Sequence, residues 1–195
     1  MVEAGGKAVK GGLRFGAVER LKDDWWMSPP PGDPQAVWDT WDRDTYYVWG
    51  ANSGNYRGIA IGQLLGGGGM AGTSHGPSVG RAHPHYIGVI TMSTADLPKN
   101  DAVFQELARY LARGKHVVIP TYHGEWSLGT GIGKGVSGWG DIQKYLVSQV
   151  YALGQAAGSV TIPAGTYWPD WRPGMNGAKH SIATLADLAA IIALL

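Results

Sequence analysis

Cysteine is absent from this 195-residue chain. Its absence excludes disulfides, thiolate metal sites and a cysteine nucleophile, and it fits a reducing compartment. Charge is scarce as well: 16% of residues are charged and the formal net charge is +1, against about a quarter charged in an average globular domain. No basic stripe interrupts this pattern, so a nucleic-acid partner held by phosphate neutralisation is not expected. Long apolar runs are missing too. The longest, Leu185 to Leu195, contains Asp187 and is too short to cross a bilayer, so no membrane partner is expected. The N-terminal stretch MVEAGGKAVKGGLRF has no apolar core of signal-peptide length. The expectation is a soluble cytoplasmic protein, and no residue pattern asks for a cofactor.

What is abundant is hydrophobic residues, at 44%, and glycine, at 31 residues. The first supports a folded core. The second serves tight turns and close backbone approach to a ligand. Phenylalanine is nearly replaced by tryptophan, with two of the former against nine of the latter.

The length suits one domain with decorated ends. Residues 1–31 read as an N-terminal arm, closed by the helix-stopping run Ser28-Pro29-Pro30-Pro31-Gly32. Thr45 to Trp49 is rich in β-formers and ends at Gly50, which predicts a buried strand. Residues 55–65 suit a short helix. Tyr86 to Thr91 and His116 to Pro120 predict two more strands. Between them, Asn100 is a suitable N-cap for a helix over Asp101 to Arg113, closed by Gly114. Ile142, Tyr145, Leu146, Gln149, Val150 and Leu153 mark an amphipathic helix stopping near Gly154. Ser159 to Ile162 predicts a short strand, and Ser181 a cap for a last helix. Strands alternating with helices argue for an α/β fold with a mostly parallel sheet. Residues 32–157 form the body of this reading. Residues 158–195 form a C-terminal extension whose helix packs on the same domain.

Two glycine-rich loops fall after predicted strands, where ligands of such sheets bind. The first runs from Gly50-Ala51-Asn52-Ser53-Gly54-Asn55 to Leu64-Leu65-Gly66-Gly67-Gly68-Gly69-Met70-Ala71-Gly72. The second is Ser127-Leu128-Gly129-Thr130-Gly131-Ile132-Gly133-Lys134-Gly135. Such loops gather several N–H groups at one point and bind anions ahead of a helix N-terminus. The second is not a P-loop, because no GK[ST] follows at the required spacing. A slack surface linker is the competing explanation of the four consecutive glycines.

ANSGN followed by LLGGGGMAG resembles the first ligand loop of macro domains, and SLGTGIGKG resembles their second, diphosphate-wrapping loop. The similarity covers roughly residues 32–157. It implies a three-layer α/β/α domain with a mixed, mostly parallel sheet, similar to the divergent phage and bacterial branch of that family. It also implies a small-molecule nucleotide partner, ADP-ribose or a relative. By the same resemblance, ligand contacts fall to Asn52, Ser53 and Asn55, to Gly67, Gly68 and Gly69, and to Ser127, Gly129, Thr130, Gly131, Ile132 and Gly133. Asp33 echoes the acidic residue that contacts adenine. Two departures bear on catalysis: Ala71 stands where hydrolytic members carry an acid, and Trp49 where they carry an asparagine. Binding is therefore the stronger expectation, and whether the chain is also a weak hydrolase stays open.

His123 and Glu125 lie between the third strand and the second loop. Either can serve as general base on a water, or can simply orient the loop. His75, His83, His85 and His123 with Glu125 compose the donor set of an alternative metal-dependent hydrolase, though solvated loop histidines explain them equally. Trp49, Trp126 and Trp139 flank the loops and suit stacking on a base or sugar. Trp25, Trp38, Trp41, Trp168 and Trp171 suit core packing or an interface. Trp168-Pro169-Asp170-Trp171-Arg172-Pro173 reads as a surface knob and a homo-oligomer contact. A structural, phage-type assembly protein is the second alternative, motivated by the excess of glycine and tryptophan.

Overall fold

The computed structural model describes residues 14–15, 45–51, 86–91, 94–119, 121–122, 124–128, 137–157 and 160–195. The β-formers at Thr45–Ala51 make strand β2 and those at Tyr86–Ile90 make β3. Ile87, Gly88 and Val89 are buried in succession, the pattern of a strand covered on both faces. Two shorter strands, β4 (His116–Val118) and β7 (Val160–Ile162), continue the same sheet. Arg14–Phe15, β1, pairs in parallel with β7. Among the described residues the sheet is five-stranded, ordered β1-β7-β4-β2-β3, with every pair parallel. The α/β class expected from the alternation of elements is therefore present. Both ends of the chain enter this sheet: β1 comes from the stretch read as an arm, and β7 from the stretch read as an extension.

The chain goes from β3 to β4 through helix α1 (Leu97–Ala112), crossing over β2. It then goes from β4 to β7 through helix α2 (Trp139–Ala157). Both crossovers run the same way along the sheet, and the right-handed rule puts both helices on one face. There they touch: the Phe104 and Tyr145 rings meet edge to face at 6.1 Å, and the Tyr145 hydroxyl donates to Asp101 Oδ1 at 2.5 Å. Burial and that hydrogen bond both raise the Tyr145 pKa. The helix predicted over residues 55–65 lies outside the described residues.

Helix boundaries differ from expectation for local reasons. A 3-10 turn at Thr94–Asp96 leads directly into α1, which starts at Leu97, three residues before the expected cap. Pro98 falls in the first turn, where its missing N–H is not needed. Asn100 is therefore not the cap but a fully buried helical residue beside Val103, Phe104 and Leu107. Gly114 closes the helix with a donated bond to Leu111 O, as expected. Helix α2 does not stop at Gly154 but runs three residues further, with Gly154 buried inside it.

A second sheet holds β5 (Thr121–Tyr122), β6 (Glu125–Trp126), β8 (Tyr167–Asp170) and β9 (Ala178–Ser181), in that order and of mixed sense. Its short strands were not foreseen. Trp168, Pro169 and Asp170 are buried in β8, so the expected surface knob is an inner strand. Ser181 ends β9 and is not a cap. The cap of the last helix, α3 (Leu185–Leu194), is Thr184, in a reciprocal box with Asp187. Helix α3 packs on α2, and a single core joins Val48, Leu107, Leu146, Val150, Ile162, Trp168 and Leu188.

Candidate ligand-binding site

Strand β2 is followed by a connection leading to β3 on one side, and β4 by a connection leading to β7 on the other. Adjacent strands whose connections diverge define a topological switch point, and in open α/β sheets ligands bind in the crevice beyond the carboxyl ends at such a point. The register shows how the ends are staggered. Val118, the last residue of β4, pairs with Tyr47, so Val48 to Ala51 project beyond it. Ser127 fills the vacated place. Its hydroxyl donates to Val48 O at 2.9 Å, and its carbonyl accepts from Gly50 N at 3.2 Å. The root of the second glycine-rich segment is thereby bonded to the end of the strand that leads into the first.

Gly50 is the crossing point. A side chain there would meet the Ser127 carbonyl at 3.0 Å and Thr91 Cγ2 and Oγ1 at 3.3 Å each. Thr91 directly follows β3, is 2% exposed, and its hydroxyl has no hydrogen-bond partner among the described residues. Three residues on, Thr94 packs against Gly138, the residue before α2. Gly138 adopts φ +73°, and a Cβ there would lie 2.6 Å from Thr94 Cγ2, so glycine is required on both counts. The N-terminus of α2 thus stands at the same edge as Gly50, Thr91 and Ser127. Its first N–H groups have no intrahelical acceptor and carry the positive end of the helix dipole.

The base of the second segment is fixed from below as well. Gln143 Nε2 of α2 donates to Leu128 O at 3.3 Å, while Gln143 Oε1 accepts from Trp168 Nε1 at 2.8 Å. Trp168 stacks on Trp139 with ring centroids 5.3 Å apart. Trp126 and Trp139 flank the second loop in the chain and suit stacking on a ligand by residue type. Instead they are 0% and 6% exposed and belong to the core.

Glu125 lies on β6, half-buried, accepting from the Tyr167 hydroxyl at 3.4 Å. The Tyr167 ring lies over Gly124, whose φ of +82° and 2.9 Å approach to Cε1 leave no room for a side chain, and Lys179 Nζ sits 4.4 Å from the ring centre. At the far end of β8, Asp170 is fully buried. Burial alone pushes its carboxyl up, but the hydrogen bonds and charge of Arg172, with the charge of His180, hold it below the ordinary aspartate range. Arg172 Nη2 lies 2.6 Å from Asp170 Oδ2, and its other terminal nitrogen donates to Leu194 O, tying β8 to the end of α3.

Of the residues to which the sequence reading gives ligand contacts or catalysis, the structure describes Ser127 and Glu125. Ser127 is fully buried with its hydroxyl committed to Val48 O, which ties the root of the second segment to β2. Asp33, Asn52, Ser53, Asn55, Gly67, Gly68, Gly69, His123, Gly129, Thr130, Gly131, Ile132 and Gly133 lie outside the described residues. In the chain, Asn52 directly follows β2 and Gly129 directly follows Leu128. His75, His83 and His85 are likewise outside, and among the described residues no group of three or more His, Asp or Glu is arranged to hold a metal. No described helix is long and apolar enough to cross a membrane.

Thr91 and Gln143 adjoin Gly50 and Leu128 and are not singled out in the sequence as site residues, whereas Gly50 heads the first glycine-rich loop. Gly50 had a visible signal, a glycine closing a β-former run just before Asn52. Comparison with known protein families, curated proteins and solved structures finds no match to this chain.

Proposed function

We propose that the chain binds ADP-ribose or a related nucleotide at the carboxyl edge of the parallel sheet, with the phosphates toward the N-terminus of α2. One observation carries the reading: the ends of β2 and β3 and the root of the second glycine-rich segment meet at Gly50, at the switch point of the sheet. Both glycine-rich segments adjoin that point in sequence, one following Ala51 and the other Leu128. Backbone N–H groups of such segments, together with a helix N-terminus, suit a diphosphate. In the same reading the domain has the three-layer macro-like arrangement of the phage and bacterial branch, and the cysteine-free chain works in the cytoplasm. With Ala71 in the place of the hydrolytic acid, the function is binding.

A thermal-shift panel of ADP-ribose, ADP, AMP and adenosine tests this. A ligand at ~100 times its dissociation constant adds about 2.7 kcal/mol, which for a chain of this size is a rise of roughly 5–10 °C. No shift with any member refutes the proposal.

A further inference from the structure

Thr91 poses a separate question. The residue is 2% exposed, yet its buried hydroxyl has no partner among the described residues. Leaving a buried hydroxyl unpaired is costly, and valine has the same shape without that cost. The position is not an arbitrary one in the core. It directly follows β3, at the crevice edge, and both branches of the side chain abut the notch at Gly50. The neighbouring acceptor there, the Ser127 carbonyl, is already bonded by Gly50 N. The nearby Ser127 hydroxyl is committed to Val48 O.

We propose that the Thr91 hydroxyl is a ligand-contacting group at the floor of the site, hydrogen bonding an oxygen of the ligand's phosphate end. The floor favours that end over a base. A Cβ built on Gly50 would meet the Ser127 carbonyl at 3.0 Å and Thr91 at 3.3 Å, and the N-terminus of α2, which suits an anionic group, stands at the same edge. This inference rests on the nucleotide reading and adds to it a residue and an orientation.

The test uses Thr91→Val and the hydroxyl-preserving Thr91→Ser, probed with ADP-ribose, inorganic pyrophosphate and adenosine. Wild type should bind ADP-ribose and pyrophosphate. Thr91→Val should lose roughly tenfold in affinity for both, the equivalent of one hydrogen bond, while Thr91→Ser keeps most of it. Unliganded Thr91→Val should melt no lower than wild type, because no protein hydrogen bond is removed. Unchanged affinity in Thr91→Val, a clear loss of its unliganded stability, or binding carried by adenosine alone would each overturn the inference and leave nucleotide binding standing. Failure of wild type to bind any of the probes would sink both.

Discussion

Replacing Gly50 by alanine tests the geometry of the crevice without any ligand. The new methyl group would sit 3.0 Å from the Ser127 carbonyl and 3.3 Å from two atoms of Thr91. A flexible side-chain tip could swing away, but the closest atom is backbone. That backbone is held by two bonds: Gly50 N to Ser127 O at 3.2 Å, and Ser127 Oγ to Val48 O at 2.9 Å. Relief requires moving Ser127 and stretching one bond or the other. Overpacking of this kind costs about 1–3 kcal/mol. Alanine recovers part of that, about 0.4–1 kcal/mol, by restricting the unfolded chain. The net expectation is a destabilisation of about 1–2 kcal/mol, or roughly 3–6 °C in melting temperature for a chain of this size. Gly140→Ala is the matched control. Gly140 lies in the first turn of α2 with nothing within 4 Å of a new Cβ, so the same substitution should stabilise by up to about 1 kcal/mol. Urea denaturation of both variants measures the two signs. If Gly50→Ala proves as stable as Gly140→Ala, the Ser127 loop is not seated on β2 as described, and the crevice loses its basis.

Gln143→Leu should cost about 2–4 kcal/mol by denaturant titration, because it strands both the Trp168 indole N–H and the Leu128 carbonyl inside the protein; a neutral result would mean that neither bond matters. Asp170→Asn should cost about 2–3 kcal/mol at pH 7, less than the 3–5 typical of breaking a wholly buried pair, since Arg172 keeps 26% of its side chain in water. The sign with pH follows from the lowered carboxyl pKa. The wild-type advantage is complete above the ordinary aspartate value of about 3.9 and fades as pH falls through the lower folded value. Denaturation at pH 7, 4 and 2 should therefore show the difference between the two proteins narrowing from pH 4 downward; a constant difference would refute the ion pair's role.

Much of the framework was legible because it rests on local pattern. Thr45 to Gly50 and Tyr86 to Ile90 are β-former runs bounded by loops, and the Ile142 to Leu153 periodicity marks one face of a helix. Capping was harder. Asn100 and Ser181 are good cap residues by type, but whether a cap is used depends on what precedes it. Pro98 allowed α1 to start earlier, and Ser181 was taken up by pairing with Tyr167 across β8 and β9. The second sheet escaped notice because its strands are two to four residues long, too short for alternation to show. Trp168 suits core packing or an interface by residue type, and its proline-flanked segment reads locally as a surface knob. Only the fold shows that the Trp168 indole is held by Gln143, 25 residues away.

The site divides in the same way. A glycine-rich segment after a strand signals close backbone approach, and such an approach is present where Gly50 N bonds Ser127 O at the carboxyl edge of the sheet. That signal could not tell a hydroxyl bonded within the protein from one left without a partner there, because both are small and polar. Ser127 and Thr91 are the pair that shows this. Ser127 stands at the head of the glycine segment, yet its hydroxyl is spent on Val48, 79 residues earlier in the chain. Thr91 closes an ordinary-looking strand, yet its hydroxyl is buried beside Gly50 with no partner among the described residues. What separates them is the stagger of β2 beyond β4, which leaves room beside Val48 for Ser127. Stagger is a property of pairing register between distant segments, and no window of local sequence contains it.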